Sequence, residues 1–365
     1  MRVLLLLLTA SVMAPALAQT ATVEGTVRDA EGLPLAGASV YLSGTTHGDA
    51  ADAEGRFRIE AVPPGLYRLV ASLVGYTAAT EDLRLSPYET ARASLRLDAA
   101  TLDLGAIAVG AERDRRRPRK LAWFTRVLLG ESANATETTI LNPEVLDLRL
   151  RWGTLRAEAA APLVIENRAL GYRLTYDLSE FEAGPTRIRY HGDERFEDLA
   201  PADSAEAARW AAARERAYRG SQRHLLRALL TGDTEAEGFS LTLARSDPFR
   251  PSSADRERPV EATQIVRRGD GWGTLRLRGR LGVAYHGEAE APEYLASEWF
   301  REARRRPDAV QRSSLTATRA LRIDPQGTPE DPFALVSSGY FAFERLADLV
   351  PSDYTPEADT PPHGL

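Results

Sequence analysis

Between Thr22 and Leu97 the chain repeats one short pattern, in which apolar and polar residues alternate for a few positions before glycine or proline breaks the run. Val23, Gly25 and Val27 share a face, followed by Ala38, Val40 and Leu42, by Phe57 and Ile59, by Tyr67, Leu69, Ala71 and Leu73, and by Leu95 and Leu97. Ser39, Tyr41, Arg56, Arg58, Arg68, Ser94 and Arg96 fall on the opposite face. A period of two with one greasy face predicts antiparallel strands that bury one side, and no helical stripe competes with it. The breaks carry turn chemistry, at Gly32-Leu33-Pro34-Leu35-Ala36-Gly37, Asp52-Ala53-Glu54-Gly55 and Val62-Pro63-Pro64-Gly65. Strands at intervals of roughly 8 to 12 residues with such turns between them predict a β-sandwich over residues 19–105.

The run GTVRDAEGLPLAGASVYLSGT, continued by DAEGRFRIEAVPPGLYRLVASLVGY, resembles the carboxypeptidase regulatory-like domain. The similarity extends over residues 22 to 98 in register through every turn. It implies a transthyretin-like, Greek-key sandwich of seven strands. Such modules accompany metallopeptidases, large surface proteins and outer-membrane receptors and are not themselves catalytic, so the resemblance implies a fold and a setting rather than a reaction. Asp49, Asp52 and Glu54 lack the ligand number and spacing of a calcium loop and read as turn formers.

Ahead of this domain, Arg2, an apolar run from Val3 to Leu8 and on through Met13, and the small residues of Ala16-Leu17-Ala18 have the order of a signal peptide, with cleavage expected before Gln19. The run is too short to span about 30 Å of hydrocarbon. The chain has no cysteine, which excludes disulfides, thiol nucleophiles and a lipid-bearing cysteine. A net charge of -6 gives no reason to expect nucleic acid as a partner. Lys120 is the sole lysine, and the many arginines show no pattern that places them on one surface.

After residue 105 the pattern changes. Residues 106–120 are read as a linker, because AERDRRRPRK is densely basic and Pro118 opposes a helix. The alternative reading of that run is an electrostatic foothold on anionic lipid headgroups. A short helix is expected around Trp123 to Leu129. Strands then return, first as a hairpin of Leu146, Leu148 and Leu150 against Leu155, Ala157 and Ala159, turned at Trp152-Gly153. A strand with Tyr172, Leu174, Tyr176 and Leu178 follows, then Ile188 and Tyr190, a turn at Gly192, and Phe196. Asp203 and Glu206 read as the cap of a helix to Arg219, and Gly220-Ser221 as the break and cap before a second helix with Leu225, Leu226, Leu229 and Leu230, ended at Gly232. Phe239 to Leu243, a hairpin of Leu275 to Tyr285, and Leu315 to Ile323 resume the sheet, and Gly339 to Leu349 read as a short helix docking Phe343, Leu346 and Leu349. The expectation is a mainly β protein, with the sandwich followed over 121–350 by one β-rich α+β domain carrying a helical insertion and by a disordered tail at 351–365. LNPEVLDL, APLVIENRALGYRLTYDL, AYRGSQRHLLRALL and EGF resemble the region after the regulatory-like module in a group of bacterial exported proteins to which no activity attaches.

Five histidines allow the metal and triad proposals to be enumerated. His191 and Glu194 have the HxxE spacing of two zinc ligands, and His286 is a conceivable third, but one HxxE is a weak signal. His224 reads as a hydrogen-bonded helix residue, with no serine or acid tied to it by spacing. There is no GxSxG elbow and no glycine-rich phosphate loop. Trp123, Trp152, Trp210, Trp272 and Trp299 are expected mostly in cores and turns, and Asn134-Ala135-Thr136 matches a glycosylation acceptor that is expected to stay unmodified. No catalytic residue, cofactor or metal is assigned. The sequence is read as that of a non-catalytic protein exported to the periplasm, outer membrane or cell surface, with the sandwich as a docking or spacing module. The second domain is expected to bind a surface polysaccharide or a partner protein, with peripheral membrane contact as a further option. A peptidase-like hydrolase and an accessory of an outer-membrane transporter are the alternatives.

Overall fold

The computed structural model describes residues 19–100, 114–185, 188–244, 257–269, 272–303 and 305–356. The expected signal peptide at 1–18, most of the linker and the tail from 357 lie outside the described residues. The protein is mainly β, with 44% strand and 22% helix, so sheets set its layers.

Strands β1 (Ala21–Asp29), β2 (Ser39–Leu42), β3 (Gly48–Ala50), β4 (Arg56–Val62), β5 (Gly65–Ser72), β6 (Tyr76–Thr77), β7 (Ala79–Leu85) and β8 (Thr90–Ala99) form two sheets, ordered β4-β1-β8-β6 and β3-β2-β5-β7. Between them lies a core of Val23, Val27, Val40, Leu42, Phe57, Ile59, Leu69, Leu95 and Leu97, all buried. The turns hold their own backbone: Asp52 Oδ1 accepts from the amides of Glu54 (3.0 Å) and Arg56 (2.8 Å), and Asp49 Oδ2 from that of Arg58 (2.7 Å). Asp49 and Asp52 are therefore occupied with local backbone, and the Glu54 carboxylate accepts from the Arg56 guanidinium (2.9 Å).

Helix α1 (Arg117–Leu129) begins inside the segment read as linker, with Pro118 in its first turn. A proline there removes an N–H that has no helical partner anyway, so it starts this helix instead of opposing it. Arg117 and Lys120 donate to the carbonyls of Leu146 (3.0 Å) and Leu148 (2.6 Å), which lays the basic helix start along the following sheet. That sheet contains β9 (Thr138–Ile140), β10 (Leu146–Arg151), β11 (Thr154–Ala159), β12 (Leu163–Asn167), β13 (Tyr172–Ala183) and β14 (Ile188–Asp198), ordered β10-β11-β13-β12-β9 with β14 on β13. Opposite a bulge of β13 between Leu178 and Glu180, β14 continues through Gly192, where the sequence suggested a turn. Glycine stands there because a Cβ would lie 2.5 Å from the Tyr176 ring of β13.

Helices α2 (Ser204–Tyr218) and α3 (Gln222–Thr231) begin at the side chains of Asp203 and Ser221, which accept from the amides of Glu206 and His224, and α3 ends at Gly232 with φ +90°. Beyond them, β15 (Phe239–Ala244), β16 (Arg258–Pro259), β17 (Val266–Gly269), β18 (Trp272–Leu275), β19 (Arg280–Tyr285), β20 (Gln311–Ala317), β21 (Leu321–Ile323) and β22 (Leu335–Gly339) form sheets ordered β16-β15-β19-β20-β22 and β17-β18-β21. The hairpin expected over Leu275 to Tyr285 does not form, since β18 and β19 belong to different sheets. Leu225, Leu226 and Leu229 of α3 pack with both sheets in a core distinct from that of the six-stranded sheet. Residues 121–350, expected as one domain, thus hold three hydrophobic clusters among the described residues, the third formed by Tyr294, Tyr340 and Phe343. The helix expected over 339–349 splits into a helical turn at Tyr340–Phe343 and a 3-10 turn at Leu346–Asp348, and Leu349 is 42% exposed.

The sandwich is fastened to the rest by buried polar groups. Tyr41 is fully buried where its alternation placed it outward, and its hydroxyl donates to Asp177 Oδ2 (2.6 Å) and the Asp193 carbonyl (3.2 Å). The Ser72 hydroxyl donates to Asp177 Oδ1 (2.8 Å), and Asp324 Oδ2 accepts from the Leu66 amide (3.2 Å). Residues 351–356 of the expected disordered tail are ordered against both parts: the Ser352 amide donates to the Gly44 carbonyl (2.7 Å), and the Arg223 guanidinium donates to the carbonyls of Pro351 and Tyr354 (both 2.6 Å). Pro351 is held by one of these long-range bonds, which local composition does not encode.

Candidate functional site

The residues proposed for a zinc site are not brought together. On β14 successive side chains alternate between faces, so His191 and Glu194, three apart, point to opposite sides of the sheet. His191 faces the sandwich, 3.1 Å from an Arg68 guanidinium nitrogen and edge-on to Phe333, and burial lowers its pKa. Burial pushes the carboxyl of Glu194 up to about 7. His286 lies beyond β19 and meets Ser240 Oγ at 2.8 Å. Among the described residues no group of three or more His, Cys, Asp or Glu side chains could hold a metal ion. His224 is buried, with Nδ1 accepting from the Gly220 amide (3.0 Å) and Nε2 2.9 Å from Glu237 Oε2. Trp210 is buried and bonded to the Arg168 carbonyl (2.7 Å), Arg84 lies over the ring of Trp272, and Trp152 is fully exposed.

What the structure does assemble is a cleft of about 710 Å³ over the five-stranded sheet. The inner face of that sheet carries Phe239, Leu241, Leu281, Val283, Tyr285 and Leu315 into the core. Its outer face is set by register: Thr242, Gly282, Ser314 and Ser338 form one cross-strand row, and Ser240, Ala284 and Arg312 the next. Side chains this small leave a trough where an ordinary strand face would be filled. Ser314 and Ser338 share a hydrogen bond of 2.7 Å on its floor.

Arginines rim the trough. Arg280 Nη2 donates to Glu257 Oε1 (3.0 Å), Arg312 Nε to Asp308 Oδ2 (2.8 Å), and Arg305 forks onto the buried Glu290. Tyr294, in helix α4 (Pro292–Ala296), is completely buried and packs edge-on with Tyr340, Phe343 and Phe300. Its hydroxyl is buried beside the Arg305 guanidinium, which opposes the upward push of burial on its pKa. Ser240 and His286 have nucleophile-to-base spacing, but among the described residues no carboxylate meets the other ring nitrogen of His286, and the orienting third group of such a site is missing.

Of the trough residues only His286 stood out in the sequence, and as a metal ligand. Their signal was the alternation FSLTLA in β15 and RLGVAY in β19, whose small polar half reads as an ordinary solvent face until the rim rises over it.

The amino-terminal unit matches a family model over its two sheets. Residues 22–98 are a carboxypeptidase regulatory-like domain. No curated protein matches the chain. Among solved structures, a type II cohesin–X-dockerin complex from Acetivibrio cellulolyticus is 20% identical over 23% of this chain and 62% of its own, with a TM-score of 0.21. The minor pilin GBS52 of Streptococcus agalactiae is 16% identical over 23% and 47%, with a TM-score of 0.21. Catechol 1,2-dioxygenase from Pseudomonas arvilla is 16% identical over 25% and 55%, with a TM-score of 0.20. The chain therefore spans less than two thirds of each of these proteins. Likeness at this level speaks to neither ligand nor activity. Outside the regulatory-like domain, the cleft's own geometry has to carry the functional reading.

Proposed function

We propose that this is an exported envelope protein that binds its ligand without transforming it. The regulatory-like domain serves as a rigid spacer, and the trough over the five-stranded sheet holds the ligand. The observation that carries this reading is the combination of a hydroxyl-lined floor of Ser240, Thr242, Ser314 and Ser338 with an arginine rim along one trough. Hydroxyls that both donate and accept, together with guanidinium forks and an aromatic wall, suit a hydroxyl-rich, partly anionic chain such as a surface polysaccharide. Export to the periplasm or cell surface belongs to the same proposal and rests on the leader at residues 1–18.

The test is calorimetric titration of the mature protein with acidic and neutral envelope polysaccharides. Acidic chains should bind and be recovered intact, and Arg312→Ala should weaken binding by about 5- to 100-fold, the loss of one to two hydrogen bonds to a charged group. The Ser240–His286 spacing favours one competing reading, a hydrolase. Ligand cleavage that disappears in Ser240→Ala would replace binding with catalysis.

A further inference from the structure

At the end of the six-stranded sheet, the β10–β11 hairpin turns on Trp152 and Gly153, with φ of +51° and +75°. A bulky residue rarely takes positive φ, where asparagine or glycine costs little, so the turn is not where a tryptophan stands for the sake of folding. Trp152 is also 100% exposed. The sheet register shows what surrounds it. Leu150, Leu155, Ala183 and Ile188 form the apolar row behind the tip, and its two ends, Leu150 and Ile188, are 40% and 38% exposed.

Charge is layered along the same axis. Arg151 lies next to the tip, and no carboxylate pairs with it among the described residues. One row behind Leu150 come Arg149, Arg156 and Arg189 against the single carboxylate Glu182. Asp147, Glu158 and Glu180 lie farther back still, where Asp147 and Glu180 are paired with Arg149 and Arg189. Exposed Arg115, Arg116 and Arg119 belong to the far end of β10 from the tip, where Arg117 donates to the carbonyls of Pro143 and Leu146. At about 3.4 Å per residue, Trp152 stands roughly 10 Å ahead of the Arg149 row.

We infer that this hairpin end docks on the surface of an anionic phospholipid bilayer, with Trp152 at the acyl boundary and the arginines among the headgroups. The occupant follows from the geometry: an indole on a convex tip enters a soft interface without needing a groove, a depth of about 5–10 Å matches interfacial insertion, and long arginine stems reach back to phosphates. Among the described residues Arg151 at the tip has no carboxylate partner, while Arg149, Arg156 and Arg189 behind it are paired with Asp147, Glu182 and Glu180, so the excess charge nearest the lipid is positive, which suits anionic headgroups. This inference does not depend on the trough or its ligand.

The experiment is co-sedimentation of the mature protein with vesicles of phosphatidylcholine containing about 30% phosphatidylglycerol, with pure phosphatidylcholine as control. The variant Trp152→Asn suits the positive-φ turn and preserves folding, which circular dichroism checks; Arg151→Glu reverses the charge next to it. Expected are binding to the anionic vesicles that falls with added salt, and a loss of about tenfold or more in each variant. Failure of the wild-type protein to bind at low ionic strength would overturn the inference. So would equal binding by Trp152→Asn, and so would a Trp152 dependence seen only for capture of a protein.

Discussion

The Tyr41 hydroxyl shows how one atom decides an interface. Burial, with the charge of Asp177 beside it, pushes the phenol far above its ordinary range, so it remains a donor at any physiological pH. Asp177, itself raised by burial, accepts from Tyr41 and Ser72 and, among the described residues, has no arginine paired with it. Removing one donor leaves a water-poor carboxyl half satisfied, and Tyr41→Phe should destabilise the protein by about 1–3 kcal/mol. Urea unfolding checks this, and an unchanged midpoint would mean the bond contributes nothing. Gly48 and Gly65 belong to the same account: a Cβ at Gly48 would lie 2.9 Å from Arg195 Nε, and one at Gly65 3.0 Å from Gln326 Oε1, so both permit the close approach of the regulatory-like domain to its neighbour.

At the scale of elements, the two helices are governed by their ends. Ser221 caps α3 through the His224 amide, and His224 is in turn fixed between the Gly220 amide and Glu237. Losing the cap frees an orphan N–H, so Ser221→Ala should lower stability by about 1 kcal/mol. The shift is readable as a lower thermal midpoint, and an accompanying change in fold by circular dichroism would show that Ser221 does more than cap. Such caps were legible in the sequence because the cap and its amide lie three residues apart. The Gly192 turn and the Leu275–Tyr285 hairpin were misread for the converse reason. A glycine in a strand and a glycine in a turn look alike locally, and only the Tyr176 ring and the partner strands distinguish them.

Across the whole molecule, buried carboxyls link its parts to pH. Asp324 is 1% exposed, and burial raises it to about 6 although the amides of Thr328, Leu66 and Gln326 all favour its charged form. Glu194, about 7, and Asp177 shift the same way. A carboxyl whose folded pKa exceeds its unfolded value binds its proton more tightly when folded. Its contribution is therefore greatest below the unfolded value near 4 and is lost as pH climbs to about 6 or 7, with Asp324 alone worth on the order of 3 kcal/mol. Surface carboxyls lowered by arginine, such as Glu166 and Asp331, act in the opposite sense but only at and below the ordinary carboxyl range. Thermal midpoints should accordingly fall between pH 4.5 and 7, and Asp324→Asn should flatten that slope even where it lowers stability at every pH. A midpoint that rises over this interval would refute the assignment.

By itself the sequence determined what neighbouring residues can decide: the alternation and turns of the regulatory-like domain, the mainly β class, and the capped helices at Asp203 and Ser221. Each of these rests on side chains and amides within a few positions of one another. Only the tertiary structure decided that Tyr41 faces inward and that His191 and Glu194 point apart. It alone raised a rim over the small residues of β15, β19 and β20, and brought residues 351–356 back onto the sandwich. Those outcomes depend on which distant strand or turn comes to lie opposite, and burial of that kind is set by the packed whole rather than by local pattern.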